Sequence, residues 1–363
     1  MKSEWKKCRL GSLMTFKNGK KRPETGAVFP VYGGNGVLGY ADKWNNENCV
    51  VIGRVGAYCG SVFREKKQCW ISDNAISGVS GNNNIDYLYY LLKSLQLNER
   101  HIGTSQPLLT QEILNNIQVT IPPSAVQKKI ASILLSLDDK IELNNKINEN
   151  LEQQAQALYQ ELFINNADSE WQKGTISDLG AVVGGSTPAK SKPEYYTENG
   201  IPWITPKDLS INKEKFISHG ENDITELGLG NSSATIMPEG TVLFSSRAPI
   251  GYIAIAAGEV TTNQGFKSVV PKPEIGTAFV YYFLKQNLPI IEGMASGSTF
   301  KEVSGSTMKR VPAVIPDSET LDRFNSSCKL IFAQQQILEE QNHSLAALRD
   351  GLLSKLMSGK IEL

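Results

Sequence analysis

Lys17, Lys20, Lys21 and Arg22 crowd into six residues around Gly19, a pattern that reads either as a solvated basic turn or as a loop that holds phosphates. Arg54 and Arg247 each follow a short apolar run and stand near Gly or Pro, so each either braces a turn or reaches outward as a bidentate donor. Two polar loops, Thr104-Ser105-Gln106 and Ser298-Thr299 with Lys301, match each other in place. A third, Ser186-Thr187 with Lys190, is the counterpart of the basic loop. Arg suits guanine and Asn or Gln suits adenine, while Lys, Ser and Thr suit phosphates. Tyr32 and Trp203 fit either loop packing or stacking on a base.

The residue types that make and break bonds are missing from the patterns they need. Holding a target amine for methyl transfer calls for Asn or Asp before Pro-Pro and an aromatic residue, yet Pro122-Pro123 stands between Ile121 and Ser124. A phosphate-cradling GxxxxGK[ST] loop is absent, since Gly19-Lys20 and Gly359-Lys360 lack both the upstream Gly and the following Ser or Thr. His101, His219 and His343 lie far apart, which leaves little support for a triad or a metal cluster. No catalytic residue, cofactor or metal is expected.

Five cysteines, an odd number without a CxxC pair, argue against a disulfide framework or a structural zinc. Cys49, Cys59 and Cys69 are spaced as one residue per consecutive strand, which predicts small buried hydrophobes. The chain of 363 residues is 40% hydrophobic, enough for two or three domains. It has no long apolar run and no apolar signal core near Met1, so a cytosolic protein without membrane contact is expected. Residues 1–122 hold 15 Lys and Arg against 9 Asp and Glu, whereas 123–166, 167–316 and 317–363 are each at −2. A polyanion partner would therefore be held by local patches, not by bulk charge.

What positions these loops is a chain built twice. A shift of 194 lays Gly103 on Gly297, Leu109 on Val303, Pro122 on Pro316 and Leu162 on Leu356. Upstream, Tyr89-Tyr90-Leu91-Leu92 matches Tyr281-Tyr282-Phe283-Leu284, and the run 52–62 resembles 245–255, with Arg54 on Arg247. Short apolar runs broken by Gly, Asn and Pro predict strands and turns, with one helix near the end of each copy. The expected class is α+β: two similar α/β domains, 1–122 and 167–316, with irregular, mostly antiparallel sheets. Between and after them lie helical regions, 123–166 and 317–363.

Pro122-Pro123 and the spacing Ser124-Ala-Val-Gln127 predict a capping box at the start of the first long helix. Leu134, Leu137, Ile141, Asn144, Asn148, Leu151, Ala155, Leu158 and Leu162 form a seam that is polar in its middle, and so do Cys328, Ile331, Gln335, Leu338, Asn342, Leu345, Arg349, Leu352 and Leu356. The alternative is that these positions are exposed. Because the first helix enters the second domain and the second leaves it, the pair is expected to be an antiparallel coiled coil with pseudo-two-fold symmetry. At roughly 1.5 Å per residue, about 40 residues span some 60 Å.

Two similar but non-identical heads at a fixed separation suit an asymmetric bipartite DNA site, because the duplex presents the same face about every 34–36 Å. At this point the whole chain resembles the specificity subunits of type I restriction-modification systems. The segments that carry the likeness are FPVYGGNGVLGY, GTSQPLLTQEILNNIQVTIPP, QKKIASILLSLDDKIELNNKINENL, GGSTP, IPWITPKDL, FSSRAPIG and LLSKLMSGKIEL. Ser124-Ala-Val-Gln and Asp317-Ser-Glu-Thr replace that family's usual Pro-Pro-leucine-x-Glu-Gln entrance. The resemblance implies two target-recognition domains on double-stranded DNA, helices that dock two methyltransferase subunits, restriction and translocase subunits joined through them, and a chain that is itself not an enzyme. A protein-only coiled-coil scaffold would give no sequence-dependent DNA protection, and an enzyme with an unfamiliar site would act alone.

Overall fold

The computed structural model describes residues 5–103, 106–297, 301–361 and 363. The chain forms two compact units: residues 1–142 with 343–363, and residues 143–342. Each long helix therefore contributes part of its length to both.

In the first unit β1 (Lys6–Arg9), β2 (Thr15–Asn18), β3 (Phe29–Gly33), β4 (Gly36–Ala41), β5 (Asn46–Gly53), β6 (Val62–Ile71) and β7 (Ala75–Val79) precede α1 (Ile85–Ser94), α2 (Gln111–Asn116) and β8 (Gln118–Ile121), after which α3 (Ser124–Gln160) begins. The main sheet runs β2-β7-β5-β6-β3-β4, and β1 pairs separately with β8. Val50, Val51 and Ile52 make β5 apolar on both faces, and it is accordingly a central strand with all three fully buried. Asn84 caps α1 by accepting the Tyr87 N–H at 2.7 Å, and Leu88, Leu91 and Leu92 then face the same core as Leu10, Ile76 and Leu114.

The second unit repeats this plan with insertions. It holds β9 (Gln172–Thr175), α4 (Ile176–Leu179), β10 (Gly180–Gly184), β11 (Tyr196–Thr197), β12 (Ile201–Ile204), α5 (Pro206–Ile211), β13 (Phe216–Ile217), β14 (Asn222–Ile224), α6 (Glu226–Gly230), β15 (Val242–Ser246), β16 (Ile250–Ala256), β17 (Thr261–Thr262) and β18 (Lys267–Pro271). Then come α7 (Thr277–Gln286), α8 (Leu288–Gly293), α9 (Gly305–Lys309), β19 (Pro312–Ile315) and α10 (Ser318–Met357). The order β10-β18-β15-β16 reproduces β2-β7-β5-β6, and β19 with β9 reproduces β8 with β1. Most pairs are antiparallel; β3 with β6, β12 with β17 and β13 with β16 are parallel.

Within each unit the two long helices run in opposite directions. In the first, Ile130 and Leu134 share a core with Leu356, and Arg349 meets Asp138 at 2.6 Å. In the second, the Asn144 amide donates to Asn342 Oδ1 at 3.0 Å, the Asn342 amide donates to Asn145 Oδ1 at 2.7 Å, and the Gln335 amide donates to the Asn148 carbonyl at 3.2 Å. Asn144, Gln335 and Asn342 are buried, so the polar middle of the seam is an interior layer and not an exposed stripe. The repeated Tyr-Tyr pair has a shared use: Tyr90 OH donates to Asp138 and Tyr282 OH to Glu152, tying each domain helix to a carboxylate of α3.

Two local expectations need correction. Gln127 does not close a capping box; its amide donates to the Pro122 carbonyl at 3.0 Å, because the Pro-Pro turn leaves that oxygen without a backbone donor. Cys49 and Cys69 lie on β5 and β6, but Cys59 lies in the turn between them, its thiol on the Arg54 carbonyl. All five thiols are free.

Candidate nucleic-acid interface

Among the described residues, the expected contacts lie on loops that share one end of the main sheet in each unit, and the same backbone bonds fasten these loops twice. The basic loop of the first unit is held where Lys20 N–H donates to the Ile71 carbonyl at 3.0 Å; in the second, Ser186 N–H donates to Thr262 at 2.8 Å. Gly19 and Gly185 sit so close to these turns that an added Cβ would lie 2.0 Å from the Ser72 and Asn263 carbonyls. Only glycine permits that approach.

A second loop leaves the central strand. Arg54 N–H donates to the Asn74 carbonyl at 3.0 Å and its carbonyl accepts Leu109 N–H at 2.9 Å; Ser246 makes the same two bonds, to Gly265 at 2.7 Å and from Val303 at 2.9 Å. The isolated bridges agree, since Val55 faces Leu108 where Arg247 faces Glu302. The structural partner of Arg54 is thus Ser246, and that of Arg247 is Val55. The sequence match of Arg54 on Arg247 is displaced by one residue.

The third loop closes on the second. Ile102 and Leu108 bridge in one unit as Ser296 and Glu302 do in the other, keeping the 194 shift. Gly103 and Gly297 both adopt left-handed backbone, φ +85° and +113°, which explains the glycine at this point in each copy. Thr104, Ser105, Ser298 and Thr299 lie outside the described residues. Gln106 and Lys301 are exposed beside them.

The side chains divide into braced and free. Arg22 donates to the Leu38 carbonyl at 3.0 Å, and so steadies the β3–β4 hairpin. Arg54 sends one guanidinium nitrogen to the Asp73 carbonyl at 3.5 Å, and Arg247 faces Glu302 at 3.7 Å, with Lys267 on the same carboxylate at 3.8 Å. Burial lowers Lys267 below its ordinary value against the pull of Glu302, and Arg247 adds to the lowering. Tyr32 and Trp203 take the packing role: Tyr32 OH donates to Glu65 at 3.0 Å, and Trp203 Nε1 donates to the Ser186 carbonyl at 2.9 Å. Lys17, Lys20, Lys21 and Lys190 are exposed, and Thr187 donates its hydroxyl to Gln264. In the second unit Thr187, Lys190, Trp203, Asn263 and Gln264 help line a cavity of ≈ 400 Å³.

Sequence reasoning missed the turns Ser72-Asp73-Asn74 and Asn263-Gln264-Gly265, which receive Arg54 and Ser246 and directly follow the Ile71 and Thr262 carbonyls that receive Lys20 and Ser186. Their signal was a short polar break at matching places before the Tyr-Tyr helix. What the clusters offer is donors and acceptors on rigid backbone. Among the described residues no group of three or more His, Cys, Asp or Glu is placed to hold a metal, and no helix is long and apolar enough to cross a membrane.

Comparison with known proteins gives a consistent match. The family model described as type I restriction modification DNA specificity domain matches residues 2–153 and again 168–348. The MjaIX type I restriction enzyme specificity subunit of Methanocaldococcus jannaschii is 42% identical over 163 residues, a stretch covering 44% of this chain and 38% of that one. The HindI specificity subunit of Haemophilus influenzae is 25% identical over 357 residues, covering 76% and 77%. In fold, the chain is similar to a type I restriction-modification S subunit from M. genitalium, with a TM-score of 0.63 at 18% identity over 97% and 96% of the two chains.

Proposed function

This chain belongs to the type I restriction-modification DNA specificity family, and from that premise we propose that it is the sequence-reading subunit of such a complex. Each compact unit reads one half of an asymmetric bipartite site on double-stranded DNA. The long helices set the spacing between the halves and dock two methyltransferase subunits, through which restriction subunits join. The chain carries no catalysis of its own; it works in the cytoplasm and needs no cofactor.

One observation carries the reading: the same loop cluster is built twice by equivalent backbone bonds, yet presents different side chains at equivalent points. A scaffold for proteins would have no reason to keep two rigid polar loop clusters while varying what they display. Phosphates would be gripped by the free lysines and by backbone N–H groups, which fixes register, while the variable side chains read base edges.

The test is to purify the chain alone and with its cognate methyltransferase subunit. Alone it should neither bind S-adenosylmethionine nor transfer methyl groups; together they should methylate DNA at a split, non-palindromic site. Methyl transfer by the isolated chain, or methylation without sequence preference by the pair, would overturn the proposal.

A further inference from the structure

The receiving turns do more than anchor the loops. Gly19 and Gly185 press on Ser72 and Asn263, and Arg54 and Ser246 bond to Asn74 and Gly265. Asp73 and Gln264 therefore occupy the same point, each flanked by residues whose main chain is locked. Both side chains are exposed. A rigid backbone carrying an exposed, variable polar tip is the arrangement direct readout requires.

We propose that this turn is the base-reading element of each domain, with Asp73 reading a cytosine in the first unit and Gln264 reading an adenine in the second; this rests on the DNA-recognition reading above. Asp73 is a carboxylate in a loop cluster otherwise supplied with Lys17, Lys20, Lys21, Arg22 and Arg54. No side-chain hydrogen bond or ion pair engages its carboxylate among the described residues; Arg54 takes its carbonyl instead. Facing phosphates, such a group is repelled. Facing a base edge, it can only accept, and the cytosine N4 amino group is the major-groove edge that only donates.

Gln264 is prepared differently. Its Oε1 accepts the Thr187 hydroxyl, which anchors the amide at one end, and its Nε2 is left to donate. The oxygen keeps a second lone pair. Adenine offers N7 as acceptor beside N6–H2 as donor, the pattern that an oriented amide meets with two bonds. The 400 Å³ cavity beside Gln264 gives the side chain room to reach outward. Thr187 is a positioning residue in this scheme.

The experiment maps methylated positions in DNA from cells that carry the chain with its cognate methyltransferase, by modified-base sequencing. The unaltered chain must first give two defined half sites; unspecific methylation at this stage sinks the functional reading itself. Asp73→Asn should then convert one position of one half site from cytosine towards adenine, and Gln264→Glu should convert one position of the other half from adenine towards cytosine. Each preference should move about five- to a hundredfold. Asp73→Ala and Gln264→Ala are the second pair, expected to relax the same single positions without a new preference. Unchanged half sites in all four variants, or a uniform loss of methylation at every site, would overturn the proposal while leaving the two-headed reading intact.

Discussion

Lys215 is a cation enclosed by the second unit, and its neighbours explain why burial is tolerated. Its ammonium meets Glu152 at 2.5 Å and Gln335 Oε1 at 2.6 Å, over the Phe332 ring at 4.1 Å. Burial would raise the Glu152 carboxyl, but Lys215 and then Lys285 overcome it and hold it down at about 2. Lys215→Ala removes one of the two cations on that carboxylate and leaves Lys285 at 2.6 Å, so it should cost about 1.5–3 kcal/mol, read as a lower unfolding midpoint. Glu339, which accepts the N–H groups of Lys215 and Phe216 at 3.0 and 3.1 Å, is instead pushed up to about 7 by burial. The folded state keeps this proton to higher pH than the unfolded chain. The stability it contributes is full below about pH 4.5 and falls as pH rises to about 7. The stability difference between the unaltered chain and Glu339→Gln should therefore decline across that window, by at most on the order of 3 kcal/mol; a flat difference in paired urea titrations would contradict it. None of this was legible in the sequence, because Lys215 ends the polar run Asn212-Lys213-Glu214 and carries no mark of the partners that reach it from distant helices. The same limit applies to Arg54 and Arg247: residue identity aligned them, whereas backbone bonds pair Arg54 with Ser246.

At the scale of elements, periodicity was informative where packing obeys it. The seam positions of both long helices were readable because burial recurs every third or fourth residue, and the polar middle was readable because Asn and Gln interrupt it. Asn144→Ala should cost about 1–3 kcal/mol, since Asn342 Oδ1 loses its donor in a buried layer, while the double change Asn144→Leu with Asn342→Leu should recover much of that loss. Equal costs for the single and double variants in chemical denaturation would mean that the layer is not coupled. Helix starts were less readable. The spacing of Ser124 and Gln127 mimicked a capping box, whereas the start of α10 is held by Asp317, which accepts Thr320 N–H at 2.9 Å and Trp171 Nε1–H at 2.9 Å. The β13 pairing and the inserted strand β11 left no periodic trace, nor did β12 and β14, which pair as β3 and β4 do, since strands of two to four residues are too short to alternate visibly.

For the whole molecule the repeat was the strongest signal, because duplicated domains keep their core pattern and their obligatory glycines while the displayed loops diverge. The account holds that two domains read separate half sites and that the helices connecting them set the distance. Lengthening α3 by four residues between Asn150 and Leu151 adds about 6 Å and turns the following residues by about 40°. The insertion replaces no residue of either core, so both half-site sequences should persist, although it falls within the second unit and the interrupted pairing with α10 should weaken assembly. Mapping the methylated sites of this insertion variant beside those of the unaltered chain is the most direct test. The expected result is the same two half sites with a spacer longer by nearly two base pairs, at about 3.4 Å each; altered half sites with an unchanged spacer would contradict the account.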